Sequence, residues 1–414
     1  MLLKIKGIGK INDSSIEMKG ITVIAGENNT GKSTFGKVLY CMFNAFHDVD
    51  KKIYDARAND IRRIFQGGLP GFIIDFIGQN IINDILSGVD IRKAIGDVVK
   101  KYQSFNPKID INNIIDPLLL NLERSISIEK HEIQQTIVTR SFKQEFSGKV
   151  NHINKLDTQG MVSLVIKEKK IDIIIESDDC IFHVDEVGLI SDAIYIDTPF
   201  IMDDVKNFYG ERYTGFYDMI GHRDYLLELL IQRRSNSTVL EEVIFKQKIN
   251  NLLSNIHSII GGEFIEDDDN LLFAEQVLKK PVPLSSVSTG IKMFLIIKRL
   301  LEQGEINDRD VLILDEPEIH LHPEWQIKFA EILILLQKEF NLTILLTTHS
   351  PYFINAIEVF SKKYRAQKNC KFYLAKSDGD VSDVDDVTDN IDEVYQQMAL
   401  PFQKLDDIAY ADDT

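Results

Sequence analysis

Eight consecutive residues, Gly26-Glu27-Asn28-Asn29-Thr30-Gly31-Lys32-Ser33, have the types and spacing to hold a polyphosphate. Two glycines let backbone N–H groups close around adjacent negative charges at a helix N-terminus. Lys32 adds a point charge for the β- and γ-phosphates, and Ser33 a hydroxyl placed for magnesium. Asn28, Asn29 and Thr30 complete the loop, with Thr34 following in the first helical turn. An apolar run from Ile21 to Ala25 precedes the loop and a helical pattern starts near Lys32. That strand-loop-helix context separates a phosphate loop from a glycine turn that happens to contain Lys-Ser.

Three distant segments could complete the chemistry. Val311-Leu312-Ile313-Leu314-Asp315-Glu316-Pro317 is a short apolar run ending in two carboxylates, the pattern of a buried parallel strand. Asp315 suits magnesium, mostly through water, and Glu316 is placed as general base for an attacking water. A solvated acidic turn is the plain alternative, and the upstream phosphate loop decides against it. Ile344 to Thr348 forms another buried strand that presents His349 at its tip. A lone histidine is ordinarily structural; one strand after the carboxylates, a γ-phosphate contact is the expected role. The fourth segment, Leu284 to Lys292, is a small-residue turn leading into the apolar helix Met293 to Leu301, and composition alone makes it a capped helix start.

With Asp315-Glu316-Pro317-Glu318-Ile319-His320-Leu321-His322-Pro323 in place, the chain resembles the ABC-type ATPases of the SMC and overcoming-lysogenization-defect group, over roughly residues 1 to 47 and 160 to 400. The resemblance implies an α/β fold of the ABC-type P-loop NTPases, with a mainly parallel core sheet, an antiparallel β subdomain and a helical insertion. It implies ATP and Mg2+ as ligands. Ser288 and Gly290 become the signature turn that closes over ATP bound by a second subunit, giving a homo-dimer or higher oligomer, and Glu318 to Pro323 takes the place of the D-loop. The signature departs from that of transporter ATPases, since Thr289 and Ile291 interrupt the glycine pair and glutamine. Gln66, in Phe65-Gln66-Gly67-Gly68, is a weak candidate for the Q-loop and reads rather as a turn residue.

Only 65 residues follow His349, too few for the C-terminal Toprim nuclease of the overcoming-lysogenization-defect proteins. In size and layout the chain resembles the stand-alone ATPase subunits of antiphage systems such as Septu and PARIS. That implies a separate nuclease effector of HNH or Toprim type, with DNA or a phage-derived molecule as trigger. The alternative is an SMC-like DNA-repair or DNA-end-sensing ATPase that binds duplex through the insertion; a transporter ATPase is a distant third.

These residues need a scaffold, and the hydrophobic pattern divides the chain into five stretches. Residues 1–49 hold the first part of the core, with two strands between Ile5 and Ala25 and a helix from Lys32 to Phe46. Residues 50–150 carry apolar residues at helical spacing, interrupted at Gly67, Gly68, Pro70, Gly71, Pro107 and Pro117. Those breaks exclude a long coiled coil, leaving a compact helical cap. Residues 151–283 open with a hairpin, Val162-Leu164-Ile166 and Ile171-Ile173-Ile175 alternating around Lys167 to Lys170. A strand from Ala193 to Pro199 and two helices between Tyr225 and Ile260 follow. Residues 284–375 return to the core, with a helix from Phe353 to Lys363 and a last strand from Cys370 to Ala375.

Residues 376–414 hold twelve acidic and two basic side chains, much of a net charge of −17. They read as a soluble, solvated acidic segment or a docking surface. Asp378, Asp380, Asp383, Asp385 and Asp386 imitate a nuclease centre but read as a solvated loop. An acidic body disfavours extensive DNA binding; Arg57, Arg62, Arg63, Arg92, Lys93, Lys100 and Lys101 are the best place for a local basic groove, or else a solvated helix face. His222-Arg223-Asp224 imitates a kinase catalytic loop without the other kinase elements, and His320 with His322 lacks further zinc ligands. Hydrophobic content of 44% supports a large core. Three isolated cysteines, Cys41, Cys180 and Cys370, argue against a disulfide framework. With no signal peptide and no run of eighteen apolar residues, a cytoplasmic protein with no membrane partner is expected.

Overall fold

The computed structural model describes residues 1–68, 79–93, 95–96, 112–152, 159–182, 188–209, 221–231, 239–267, 270–275 and 280–411. Two compact units emerge, one built on residues 1–47, 138–213 and 220–414 and the other on 48–137. The first opens with β1 (Leu2–Ile8), β2 (Ile11–Glu17), β3 (Ile21–Gly26) and α1 (Lys32–Phe46). Three strands precede the helix where two were expected, because Gly9 and Gly20, at φ 55° and 61°, turn the chain tightly on either side of β2.

The second unit holds α2 (Val49–Gly68), α3 (Gln79–Leu86), α4 (Asn112–Ser127) and the start of α5 (Lys130–Glu145). Its own core joins Ala58, Ile61 and Phe65 of α2 to Ile82 and Ile85 of α3 and Leu118 and Leu122 of α4. Gln66 lies inside α2 and is exposed, so it is a helical residue and not a turn glutamine. Pro117 sits within α4 instead of ending it. Arg57 donates to the Ile128 carbonyl (2.8 Å), and Arg62 to Asn59 and Gln79 (2.7 and 2.6 Å). Both guanidinium groups thus serve contacts within this unit. Pro70, Gly71, Lys100, Lys101 and Pro107 lie outside the described residues. The unit ends near residue 137, not 150, because Val138 and Phe142 of α5 and Val150 are buried in the first unit's core.

The first unit continues with β4 (Gly160–Ile166), β5 (Lys169–Glu176), β6 (Asp179–Ile181), β7 (Ala193–Ile196), α6 (Ile201–Tyr209), α7 (His222–Ile231) and α8 (Val239–Ile260). A small antiparallel sheet, β8 (Gly262–Asp267), β9 (Asn270–Glu275) and β10 (Val282–Pro283), precedes α9 (Thr289–Gln303). Then come β11 (Val311–Asp315), α10 (Pro323–Phe340), β12 (Thr343–Thr348), α11 (Pro351–Lys363), β13 (Cys370–Asp378), β14 (Val381–Asp386) and α12 (Asp392–Ala411).

Among the described residues these strands make one eleven-stranded sheet, in the order β6-β5-β4-β1-β2-β14-β13-β3-β12-β11-β7. From β13 to β7 every pairing is parallel, whereas β6 through β2 form an antiparallel run. Parallel core and antiparallel subdomain are therefore halves of one sheet. The central strands are apolar on both faces, as parallel strands covered by helices must be. Alternation sorts their side chains: Val23, Leu312, Leu314 and Leu346 join the cluster with Phe294 of α9, Phe329 of α10 and Phe353 of α11. Ile24, Ile313 and Leu345 join the opposite one with Phe35, Val38 and Leu39 of α1.

Residues 376–386 are not a solvated tail. They extend β13 and form β14, which lies between the two halves of the sheet. Asp383, expected in a loop, accepts from the Asp13 amide of β2 (3.2 Å), and Ser14 Oγ accepts from the Val384 amide (3.0 Å). Asp385 pairs with Lys376 and Asp386 with Lys371, at 2.9 and 3.1 Å. Burial alternates along it, with Ser382 and Val384 inward and Val384 lying between charged neighbours, which makes this a half-buried strand despite its acidity. Removing residues 376–414 would open the sheet, so that truncation cannot separate nucleotide binding from partner binding. Among the described residues no helix is long and apolar enough to cross a membrane, and the three cysteines are free and buried.

Candidate functional site

The phosphate loop links β3 to α1. Gly26 has φ 151°, and a Cβ there would come within 2.6 Å of the Ala375 carbonyl of β13, so only glycine lets the loop leave its strand. Gly31 precedes α1 in the left-handed region, φ 78°, and no side chain caps the helix. The first-turn N–H groups of α1 thus lack a side-chain acceptor. Thr30 Oγ1 donates to the Glu27 carbonyl (2.8 Å), and Lys10 Nζ to that of Asn29 (3.2 Å). Asn28 is exposed at the tip. Lys32 is buried and folds back across the loop, donating to the carbonyls of Gly26 (3.0 Å) and Glu27 (2.7 Å). A Cβ on Gly9 would stand 3.2 Å from Thr34 Oγ1, packing that residue under the first turn.

β11 and β12 bring three more side chains to the loop. Asp315 Oδ1 accepts from Ser33 Oγ (3.1 Å) and from Thr347 Oγ1; Oδ2 accepts from the Tyr195 hydroxyl (3.1 Å). Glu316 takes the left-handed conformation, φ 49°, with its amide donating to both Thr347 O and Oγ1 at 3.1 Å. That turn aims its carboxylate between Lys32 Nζ (3.4 Å) and His349 Nδ1 (3.5 Å). His349 is half-exposed at the tip of β12, and its amide donates to Glu318 Oε1 (3.1 Å). Lys32, Ser33, Asp315, Glu316 and His349 therefore meet in one place.

Ser288 and Gly290 lie elsewhere, at the start of α9. Ser288 is exposed and its hydroxyl makes no capping bond. A Cβ on Gly290 would stand 2.9 Å from the His320 carbonyl and 3.4 Å from the Trp325 ring, so the glycine lets α9 approach the segment 316–323. Glu318 in that segment is 1% exposed and accepts from Thr348 Oγ1 as well as from His349. Gln326 Nε2 donates to the Leu321 carbonyl (3.0 Å), and Ser350 Oγ donates to Gln326 Oε1 (2.6 Å). His322 caps α10 and His320 packs edge-on against Phe200, which gives each imidazole a structural place.

Several residues at the site escaped the sequence reading as functional ones, Tyr195, Thr347, Thr348 and His222, while Glu318 was placed there only as the start of the D-loop segment. Two clues were present. Thr347-Thr348 interrupts an otherwise apolar strand, and Tyr195 is the only hydroxyl in Ala193-Ile194-Tyr195-Ile196. His222, the start of the apparent kinase motif, opens α7. Its Nδ1 lies 2.6 Å from Glu145 and its Nε2 3.2 Å from Asp197, while Arg223 grips Asp197 through two nitrogens at 2.6 and 3.0 Å. Burial alone would lower the pKa of this imidazole, but Asp197 and Glu145 lift it to about 9. For Asp197 burial acts upward and His222 with Arg223 outweighs it, holding the carboxyl at about 2.

The donor set around Ser33 and Asp315 is hydroxyl and carboxylate oxygen, with no sulfur, which suits magnesium. Together with the uncapped helix start and the glycine cradle at Gly26, these residues fit a magnesium nucleotide.

The chain is similar to several known proteins. Residues 188–355 match the family described as "AAA domain, putative AbiEii toxin, Type IV TA system". The probable ABC transporter ATP-binding protein p29 of Mesomycoplasma hyorhinis is 23% identical over 167 residues, 39% of this chain and 64% of that protein. An uncharacterized protein of Methanocaldococcus jannaschii is 30% identical over 106 residues, 25% of this chain and 12% of that protein. The chain thus spans less than two thirds of either curated relative. The SMC head domain from Thermotoga maritima aligns with a TM-score of 0.40 and 11% identity, covering 93% of this chain and 98% of that one. An Smc head domain from Pyrococcus furiosus, solved with the C-terminal domain of ScpA, gives the same TM-score and identity over 96% and 98%. The sheet order and the phosphate loop between β3 and α1 give this chain an α/β fold of the ABC-type P-loop kind, and its residues 188–355 are similar to the matched AAA-domain family.

Proposed function

We propose that this chain hydrolyses ATP at a site completed by a second copy, and that its nucleotide state governs a separate nuclease effector in antiphage defence. The observation that carries the hydrolytic reading is the Glu316 carboxylate, held between Lys32 and His349 beside the Ser33–Asp315 pair. Lys32 and the N–H groups of the loop neutralise and orient the phosphates. Ser33 and Asp315 would hold magnesium, which when bound draws charge from the phosphate oxygens. Glu316 orients a water and takes its proton, and His349 contacts the γ-phosphate side of the site. The exposed start of α9, with Ser288 at its N-cap, offers the surface for ATP bound to the partner copy. The effector reading draws on the toxin–antitoxin description of the matched family.

Glu316→Gln is expected to keep ATP and lose turnover by about 100-fold or more, whereas Lys32→Ala loses tight nucleotide binding. Parent-like turnover in Glu316→Gln would remove the hydrolytic assignment. Affinity purification of Glu316→Gln with ATP from its native host tests the partner. A stoichiometric nuclease supports defence control; DNA without a nuclease replaces it with the SMC-like DNA-sensing alternative.

A further inference from the structure

We propose that Tyr195 is a positioning residue for the magnesium-binding carboxylate of Asp315, and that His222, clamped between Glu145 and Asp197, holds Tyr195 in place. The inference rests on the role given above to Asp315. β7 runs parallel to β11 with Tyr195 opposite Ile313, so Tyr195 points to the same face as Asp315, two residues further along β11. The ring is 1% exposed, yet its hydroxyl reaches Asp315 Oδ2 at 3.1 Å. Ser33 and Thr347 both donate to the other oxygen, Oδ1. Each carboxylate oxygen is therefore assigned, and rotation of the group about its Cβ–Cγ bond breaks donors on both sides.

The ring is fixed from behind. His222 stacks on it with centroids 4.4 Å apart and an interplanar angle of 29°. The imidazole is flanked by two carboxylates, with Glu145 from the end of α5 hydrogen-bonded to Nδ1 at 2.6 Å and Asp197 just beyond β7 at 3.2 Å from Nε2. On the side of α1, a Cβ at Gly36 would stand 3.4 Å from the Tyr195 hydroxyl, so that helix also closes on the ring. A phenol that merely filled the core would need neither an ion-paired imidazole against its face nor a carboxylate at its tip. Outer partners that orient a metal-binding carboxylate typically contribute 10–100-fold in metal affinity.

The test is Tyr195→Phe, which keeps the ring and its stack and removes one oxygen. Binding of a fluorescent ATP analogue is titrated with Mg2+, and again in EDTA, alongside thermal unfolding. The expected result is a half-saturating Mg2+ concentration raised about 10-fold, with metal-free binding and the unfolding midpoint close to the parent. His222→Leu should reproduce the metal shift and also lower the midpoint. A Tyr195→Phe titration that overlays the parent overturns the inference alone. A parent whose nucleotide binding does not depend on Mg2+ overturns the role of Asp315 and the inference with it.

Discussion

Glu318 shows how much one side chain beside the reacting groups can control. It is almost wholly buried and accepts from Thr348 Oγ1 and from the His349 amide, and burial raises its pKa. Glu318→Gln keeps an acceptor, whereas Glu318→Ala leaves a buried hydroxyl and amide without one. The alanine variant should lose about 1–3 kcal/mol of stability and turn over more slowly than the glutamine variant; equal behaviour of the two would separate Glu318 from His349. His222 sets a pH dependence. Its folded pKa of about 9 exceeds the ordinary 6.5, so its contribution is complete below pH 6.5 and is lost as pH rises through 9. Denaturation at pH 6.5 and 8 should differ by about 2 kcal/mol, and His222→Gln should flatten that difference. Lys32, Ser33, Asp315, Glu316 and His349 were legible in the sequence because each stands at a fixed offset from a strand end. The roles of Tyr195 and Glu318 were not, because they depend on which strands become neighbours, and local spacing does not encode that.

At the scale of elements, the junction of β2 and β14 is narrow. One register pair, Ser382 opposite Ile11, joins them in the backbone, and Asp383 and Ser14 add side-chain stitches. Asp383→Ala should therefore lower unfolding free energy by about 1–2 kcal/mol, with a lower denaturant midpoint at unchanged m. A change no larger than for Asp380→Ala, on the exposed turn, would mean the stitch carries nothing. The same junction shows why part of the fold was hidden from sequence. α1, α8, α9 and the β4–β5 hairpin follow from strong periodicity or alternation. β14 does not, because its acidic residues lower its hydrophobic signal; it pairs along its length with the neighbouring β13, and its other neighbour, β2, lies more than three hundred residues away. Glycine turns likewise split the opening run into three strands, a matter of backbone angle more than of apolar pattern.

For the whole molecule, self-association on ATP is the main expectation. In sedimentation velocity, Glu316→Gln should sediment faster with ATP than without. Adding Ser288→Arg should cancel that change at little cost in stability, because the serine hydroxyl makes no capping bond. Persistence of the faster species would place the contact elsewhere. The sheet order also has a consequence for the growing chain. β3 and its phosphate loop leave the ribosome early, but the strand beside Gly26 is β13, and the link from there back to β2 is β14. At 5–20 residues per second, the nascent chain waits on the order of tens of seconds for these strands. A message cut before that point yields a polypeptide with exposed sheet edges and an unwalled phosphate loop, a substrate for proteases. The strand that walls Gly26 is thus among the last parts of the sheet to be made, after every side chain that meets at the phosphate loop.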